Sequence, residues 1–118
     1  MLMDELFRCT STGDVDGVAS MCAPGMRVKQ NSGDDADIAT LLALVGGIAA
    51  AGVTVDYSDV RRVIGERSVA EQHLVTLRRS DGVEASVDVC VVVRFDGDGR
   101  VERLDEYFDP SPVAHLLA

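Results

Sequence analysis

Residues 83–95, VEASVDVCVVVRF, alternate over seven positions of one face: Val83, Ala85, Val87, Val89, Val91, Val93 and Phe95. Side chains two apart on a strand point the same way, so this stretch reads as a long strand with one apolar face. Its other face carries Ser86, Asp88, Cys90, Val92 and Arg94. A half-buried strand needs partners, and both flanks supply them. Upstream, Ser80-Asp81-Gly82 is a hairpin turn leading back to a strand whose one face holds Val69, Glu71, His73, Val75 and Leu77. Before that, Val53, Val55 and Tyr57 alternate, and after a bulge the run continues to Ile64, where Gly65-Glu66-Arg67 turns the chain. Downstream, Asp96-Gly97-Asp98-Gly99 turns into a last strand over 100–108.

The first half has a different period. Residues 2–10 read as a short helix, broken by Thr10-Ser11-Thr12-Gly13. Asp14 offers an N-cap for a second, with Val15, Val18, Met21 and Cys22 along one stripe, that stops at Pro24-Gly25. A short extended piece, MRVKQ, and a loop, NSGDDAD, follow. Asp35 or Asp37 then caps a third helix whose Ile38, Leu41, Leu42, Val45, Ile48 and Ala49 recur at helical spacing up to Gly52. Ser111-Pro112 reads as the cap and first turn of a short terminal helix. Helices first and a strand meander afterwards is the α+β order, and the expectation is one domain over residues 1–118.

At 118 residues such a domain buries roughly two thirds of its unfolded surface. Eleven basic against twenty acidic residues give a net charge of -9, which argues against nucleic acid and anionic membranes as partners. The start, MLMDELFR, has no basic region followed by an apolar one, so no secretory signal is expected. Cys9, Cys22 and Cys90 form no CxxC pair, which suits free thiols in a reducing cytoplasm. With two histidines and no zinc spacing, neither metal nor cofactor is expected. Carboxylates, imidazole and tyrosine remain as carriers of chemistry.

Parity then singles out Glu106, which lies between Leu104 and Phe108 on what should be a core-facing edge. A carboxylate there either faces water or lines a cavity. In an apolar cavity desolvation raises its pKa and suits it to acid–base work. His73 shares a face with Val69, Val75 and Leu77, and is expected within reach of Glu106 directly or through one water, forming a dyad that shuttles a proton. Glu71 is placed at the rim, reaching solvent. Tyr57 offers a hydroxyl to a developing oxyanion. Cys90, on the opposite face, reads as packing.

The segments TGDVDGVASMCAPGMRVKQN, VAEQHLVTLRRSDG and SVDVCVVVRFDGDGRVERLDEYFDP, in that order, resemble the SnoaL-like branch of the nuclear-transport-factor-2-like superfamily. Its relatives include ketosteroid isomerases, limonene-epoxide hydrolases, scytalone dehydratase and polyketide cyclases. The resemblance covers about residues 5 to 117. It implies a cone-shaped, cystatin-like, antiparallel or mixed sheet wrapping N-terminal helices, a pocket at one end, and a homodimer, for which the apolar Cys90 and Val92 single out the outer sheet face. It also maps the isomerases' general base onto Gln30 or Asn31, their oxyanion-hole acid near Val91 and their tyrosine near Leu6, none of which can do that work. The hydrolases' Arg-x-Asp falls on His73 and Val75, and their last-strand aspartate on Glu106. Candidate catalytic residues are therefore Glu106 and His73. Candidate binding residues are Gln30, Asn31, Tyr57, Val75, Val91, Leu104 and Phe108. The function expected is cofactor-independent acid–base chemistry of the cyclase, isomerase or hydrolase kind on a small apolar molecule. The alternative is a non-catalytic protein of the same fold that binds a hydrophobic ligand or serves as a partner subunit.

Overall fold

The computed structural model describes residues 2–116. Helices α1 (Leu2–Thr12) and α2 (Val15–Ser20) meet at Gly13, whose φ of +72° no L side chain adopts comfortably. Asp14 caps α2, its Oδ1 accepting from the Gly17 amide at 2.9 Å. Strand β1 (Cys22–Gln30) and the two-residue β2 (Ala36–Asp37) precede α3 (Ile38–Ala50), with Asp37 rather than Asp35 at its N-cap. Four long strands follow: β3 (Thr54–Ile64), β4 (Ser68–Arg78), β5 (Glu84–Phe95) and β6 (Val101–Phe108).

All six strands form one sheet in the order β2-β1-β6-β5-β4-β3. The pairing is antiparallel except between β1 and β6, which run parallel. The sheet is therefore mixed. One face meets the helices: Val69, Val91, Val93 and Leu104 are buried in one cluster with Met3, Leu6 and Phe7 of α1 and Leu41 and Val45 of α3. The other face carries Gln72, Asp88, Val92 and Tyr107, all exposed.

Three local expectations are corrected. The second helix ends at Ser20, before Pro24-Gly25; β1 begins at Cys22 and runs through both, with its register to β6 broken between Cys22 and Arg27. Proline is tolerated in a strand at such an irregularity, where its missing N–H costs no ladder bond. The NSGDDAD loop contains β2, paired with Arg27 and Val28. Near the C-terminus, Ser111 caps no helix: its amide and hydroxyl donate to Asp109 Oδ1, and the expected helix is a 3-10 turn over Ala114–Leu116. Among the described residues, no helix is long and apolar enough to cross a membrane.

Candidate active site

The inner sheet face and the helices enclose a cavity of about 290 Å³. Its walls come from every layer: Leu6 and Phe7 of α1, Leu41, Val45 and Ile48 of α3, Val55 and Tyr57 of β3, Val75 and Leu77 of β4, Val87 and Val89 of β5, and Leu104 and Phe108 of β6. Val113 and Ala114 border it near the C-terminus. Among the described lining residues Glu106 is the one carboxylate, and Thr10, Gln30 and Tyr57 supply the other polar side chains. Strand parity explains this placement, because Leu104, Glu106 and Phe108 all line the cavity.

Glu106 is half-buried and gripped from the parallel neighbour. Gln30 pairs with it in register, and its Nε2 donates to Glu106 Oε1 at 2.9 Å. Burial pushes the Glu106 carboxyl above its ordinary range, against the lowering pulls of the Gln30 amide and of nearby His73. Desolvation of the charged form thus dominates. Tyr57 is also held: its hydroxyl shares a 2.9 Å hydrogen bond with Thr10 Oγ1, and burial raises the phenol to about 12.

Four expectations about individual residues change. His73 does not line the cavity. It is buried, with the Phe7 and Tyr57 rings set edgewise or tilted against one another and against it at centroid distances of 4.9 to 5.0 Å. Its hydrogen bond goes to Glu71 rather than Glu106, with Nδ1 at 2.6 Å from Glu71 Oε2. Glu71 is no rim residue; it is 1% exposed, and Arg62 Nε donates to its other oxygen. Val91 is fully buried in the α1-side cluster, between Glu71 on β4 and Glu106 on β6, and is not in the wall. Asn31 is a structural link: with φ at +54°, its Oδ1 accepts from the Phe108 amide and its own amide donates to the Glu106 carbonyl, both at 2.8 Å. The remaining candidates, Gln30, Tyr57, Val75, Leu104, Phe108 and Glu106, do share the cavity.

The buried Arg62–Glu71–His73 cluster escaped sequence reasoning because of the bulge in β3. Register shifts between Ser58 and Arg61, with Asp59 at φ +53°. Continued parity from Tyr57 would put Val63 inside. The shift instead sets Arg62 opposite Glu71 and leaves Val63 75% exposed. The signal was present, since a carboxylate two residues from a histidine on an apolar face needs a donor, but its cation came from beyond the irregularity.

No protein-family model and no curated protein matches the chain. Solved structures do. A candidate polyketide cyclase of Xanthomonas campestris superposes with a TM-score of 0.81 at 12% identity, covering 99% of this chain and 94% of its own. A Mycobacterium tuberculosis LEH-like epoxide hydrolase gives 0.77 at 16%, covering 98% and 85%. A nuclear-transport-factor-2-like protein of Burkholderia xenovorans gives 0.75 at 18%, covering 98% and 92%. The chain shares the α+β fold of these proteins.

Proposed function

We propose that the cavity takes a small apolar molecule and that Glu106 moves a proton to or from it, in cofactor-independent chemistry of the cyclase, isomerase or hydrolase kind. One observation carries this reading: among the described residues Glu106 is the single carboxylate on a largely apolar wall, and burial raises its pKa. A carboxyl shifted upward holds its proton nearer to neutral pH, where it serves as acid in one step and base in the next. Gln30 fixes one carboxylate oxygen and so orients the other. A ligand that buries about 200 Å² of apolar surface gains about 5 kcal/mol at about 25 cal/mol per Å², so apolar contact alone supplies weak binding and the polar groups supply orientation. That structures of this fold include a candidate polyketide cyclase and an epoxide hydrolase supports the same class of chemistry.

The test pairs binding with turnover. An apolar fluorophore reports occupancy of the cavity, and a panel of terpene epoxides and polyketide-like esters reports chemistry. The parent should bind the fluorophore and convert at least one panel member, while Glu106→Gln binds and does not convert. A Glu106→Gln protein that converts like the parent overturns the reading. Binding without conversion by the parent favours the ligand-carrier alternative.

The outer sheet face is proposed as the seat of a homodimer, on the strength of Val63, Val92 and Tyr107, which are 75%, 36% and 51% exposed. Val63, Ala70 and Val92 lie in one cross-strand row of that face. The three free cysteines fit a reducing cytoplasm as the place of work.

A further inference from the structure

Beside the cavity, on the α1 side of the Phe7 and Tyr57 rings, lies a chain of charged side chains that the proposed chemistry does not use. Arg62 bridges the exposed Asp4 to the buried Glu71, and Glu71 reaches His73. Glu71 and His73 side chains are each 1% exposed. Glu71 Oε1 accepts from Arg62 Nε, and Oε2 lies 2.6 Å from His73 Nδ1. A carboxylate held by a guanidinium is ionised and only accepts, so Nδ1 must carry the hydrogen. In the neutral ring Nε2 is then a bare lone pair. It is the one buried side-chain polar atom among the described residues with no hydrogen-bond partner, and such an atom in a folded interior calls for a reason.

The position of the ring supplies one. Glu71, Val91 and Glu106 form one cross-strand row, and His73, Val89 and Phe108 the next. Glu106 and His73 therefore sit diagonally across β5 on the same sheet face, near enough that His73 affects the Glu106 carboxyl.

We propose that Glu71 is a positioning residue: bonded by Arg62 on one oxygen, it fixes His73 as the Nδ1–H tautomer with the other and so leaves Nε2 as the ring's proton-accepting atom. The inference rests on the proposed role of Glu106 for its use, but not for its geometry. A proton arriving at Nε2 gives an imidazolium with both nitrogens protonated, and its charge is offset by the Glu71 carboxylate already bonded to Nδ1. The groups around the ring that bear on its charge are Glu71, Arg62 behind it, Tyr57 and Glu106.

Long-range proton–nitrogen NMR of the imidazole in mildly alkaline buffer reads the tautomer without substrate. The parent should show His73 protonated at Nδ1 and bare at Nε2. In Glu71→Gln the expected pattern inverts: Arg62 donates to the amide oxygen, the amide NH2 then faces Nδ1, and the hydrogen must move to Nε2. An Nε2–H ring in the parent, or an unchanged ring in a folded Glu71→Gln, overturns the proposal. The parent spectrum alone decides the first point even if the variant does not fold. Glu106→Gln should leave the tautomer as in the parent, so a failure of the Glu106 reading, seen in turnover, remains distinct from a failure of this one.

Discussion

Replacing Glu71 by leucine removes the carboxylate that the half-buried Arg62 and the buried His73 share. Glu71 is 1% exposed and the Arg62 side chain 18%, so solvent screens this pair little. Removing one member of a buried charged pair costs about 3–5 kcal/mol, because the remaining partner stays desolvated without compensation. Arg62 keeps its contact with Asp4, so the lower end of that range, about 3 kcal/mol, is expected. With a urea slope of about 1–3 kcal/mol per molar for a small domain, the midpoint should fall by roughly 2 M. The same physics predicts recovery: an Arg62→Leu, Glu71→Leu, His73→Phe triple variant, with apolar groups at all three positions, should regain most of the loss. Equilibrium urea unfolding followed by circular dichroism measures all three proteins. A loss below about 0.5 kcal/mol for the single variant, within the ordinary range of surface changes, would refute the claim that Glu71 holds the cluster.

Gly13→Ala should destabilise by about 2 kcal/mol or more, since it combines positive φ with a Cβ placed 2.5 Å from Ala49 Cβ; thermal unfolding checks it, and an unchanged midpoint contradicts it. Val87→Phe adds a ring to a cavity wall and should abolish fluorophore binding while far-ultraviolet circular dichroism stays as in the parent. Glu106→Gln should be more stable than the parent at neutral pH. A carboxyl whose folded pKa is raised destabilises the fold above that pKa and ceases to do so as pH falls toward the unfolded value, so the difference should vanish in acid; a less stable variant at neutral pH would reverse the sign. The outer face predicts a dimer in light scattering at tens of micromolar (an order-of-magnitude concentration), converted to monomer by Val92→Lys, and a parent that scatters as a monomer rules the dimer out.

The β meander was legible because its faces are written in strict alternation. Val87, Val89, Val91 and Val93 are all buried, and the same parity put Leu104, Glu106 and Phe108 on one wall. Helix caps at Asp14 and Asp37 were legible for the same local reason, a short acceptor before an apolar run. The failures share a cause that parity cannot express. A β-bulge at 58–61 exchanged Val63 for Arg62 on the inner face and so created the buried partner of Glu71. Val91 obeyed parity, yet the α1-side cluster buries it out of the cavity. The resemblance points to Asn31 as a position in the site, but its backbone conformation and its bond to the Phe108 amide turn it into a brace behind Glu106. Which face a residue occupies is a local matter; what covers that face depends on the whole chain.

The measurement that bears most directly on the account is the titration of the Glu106 side-chain carboxyl carbon by NMR, with Glu106→Gln used for assignment. Burial predicts a midpoint above the ordinary value of 4.5, and a further rise when an apolar fluorophore fills the cavity and displaces water from the charged form. By linkage the fluorophore should then bind more tightly as pH falls through that midpoint. A Glu106 that titrates at or below 4.5, and is indifferent to the ligand, would show a solvated carboxylate and contradict its role as the acid–base group of this cavity.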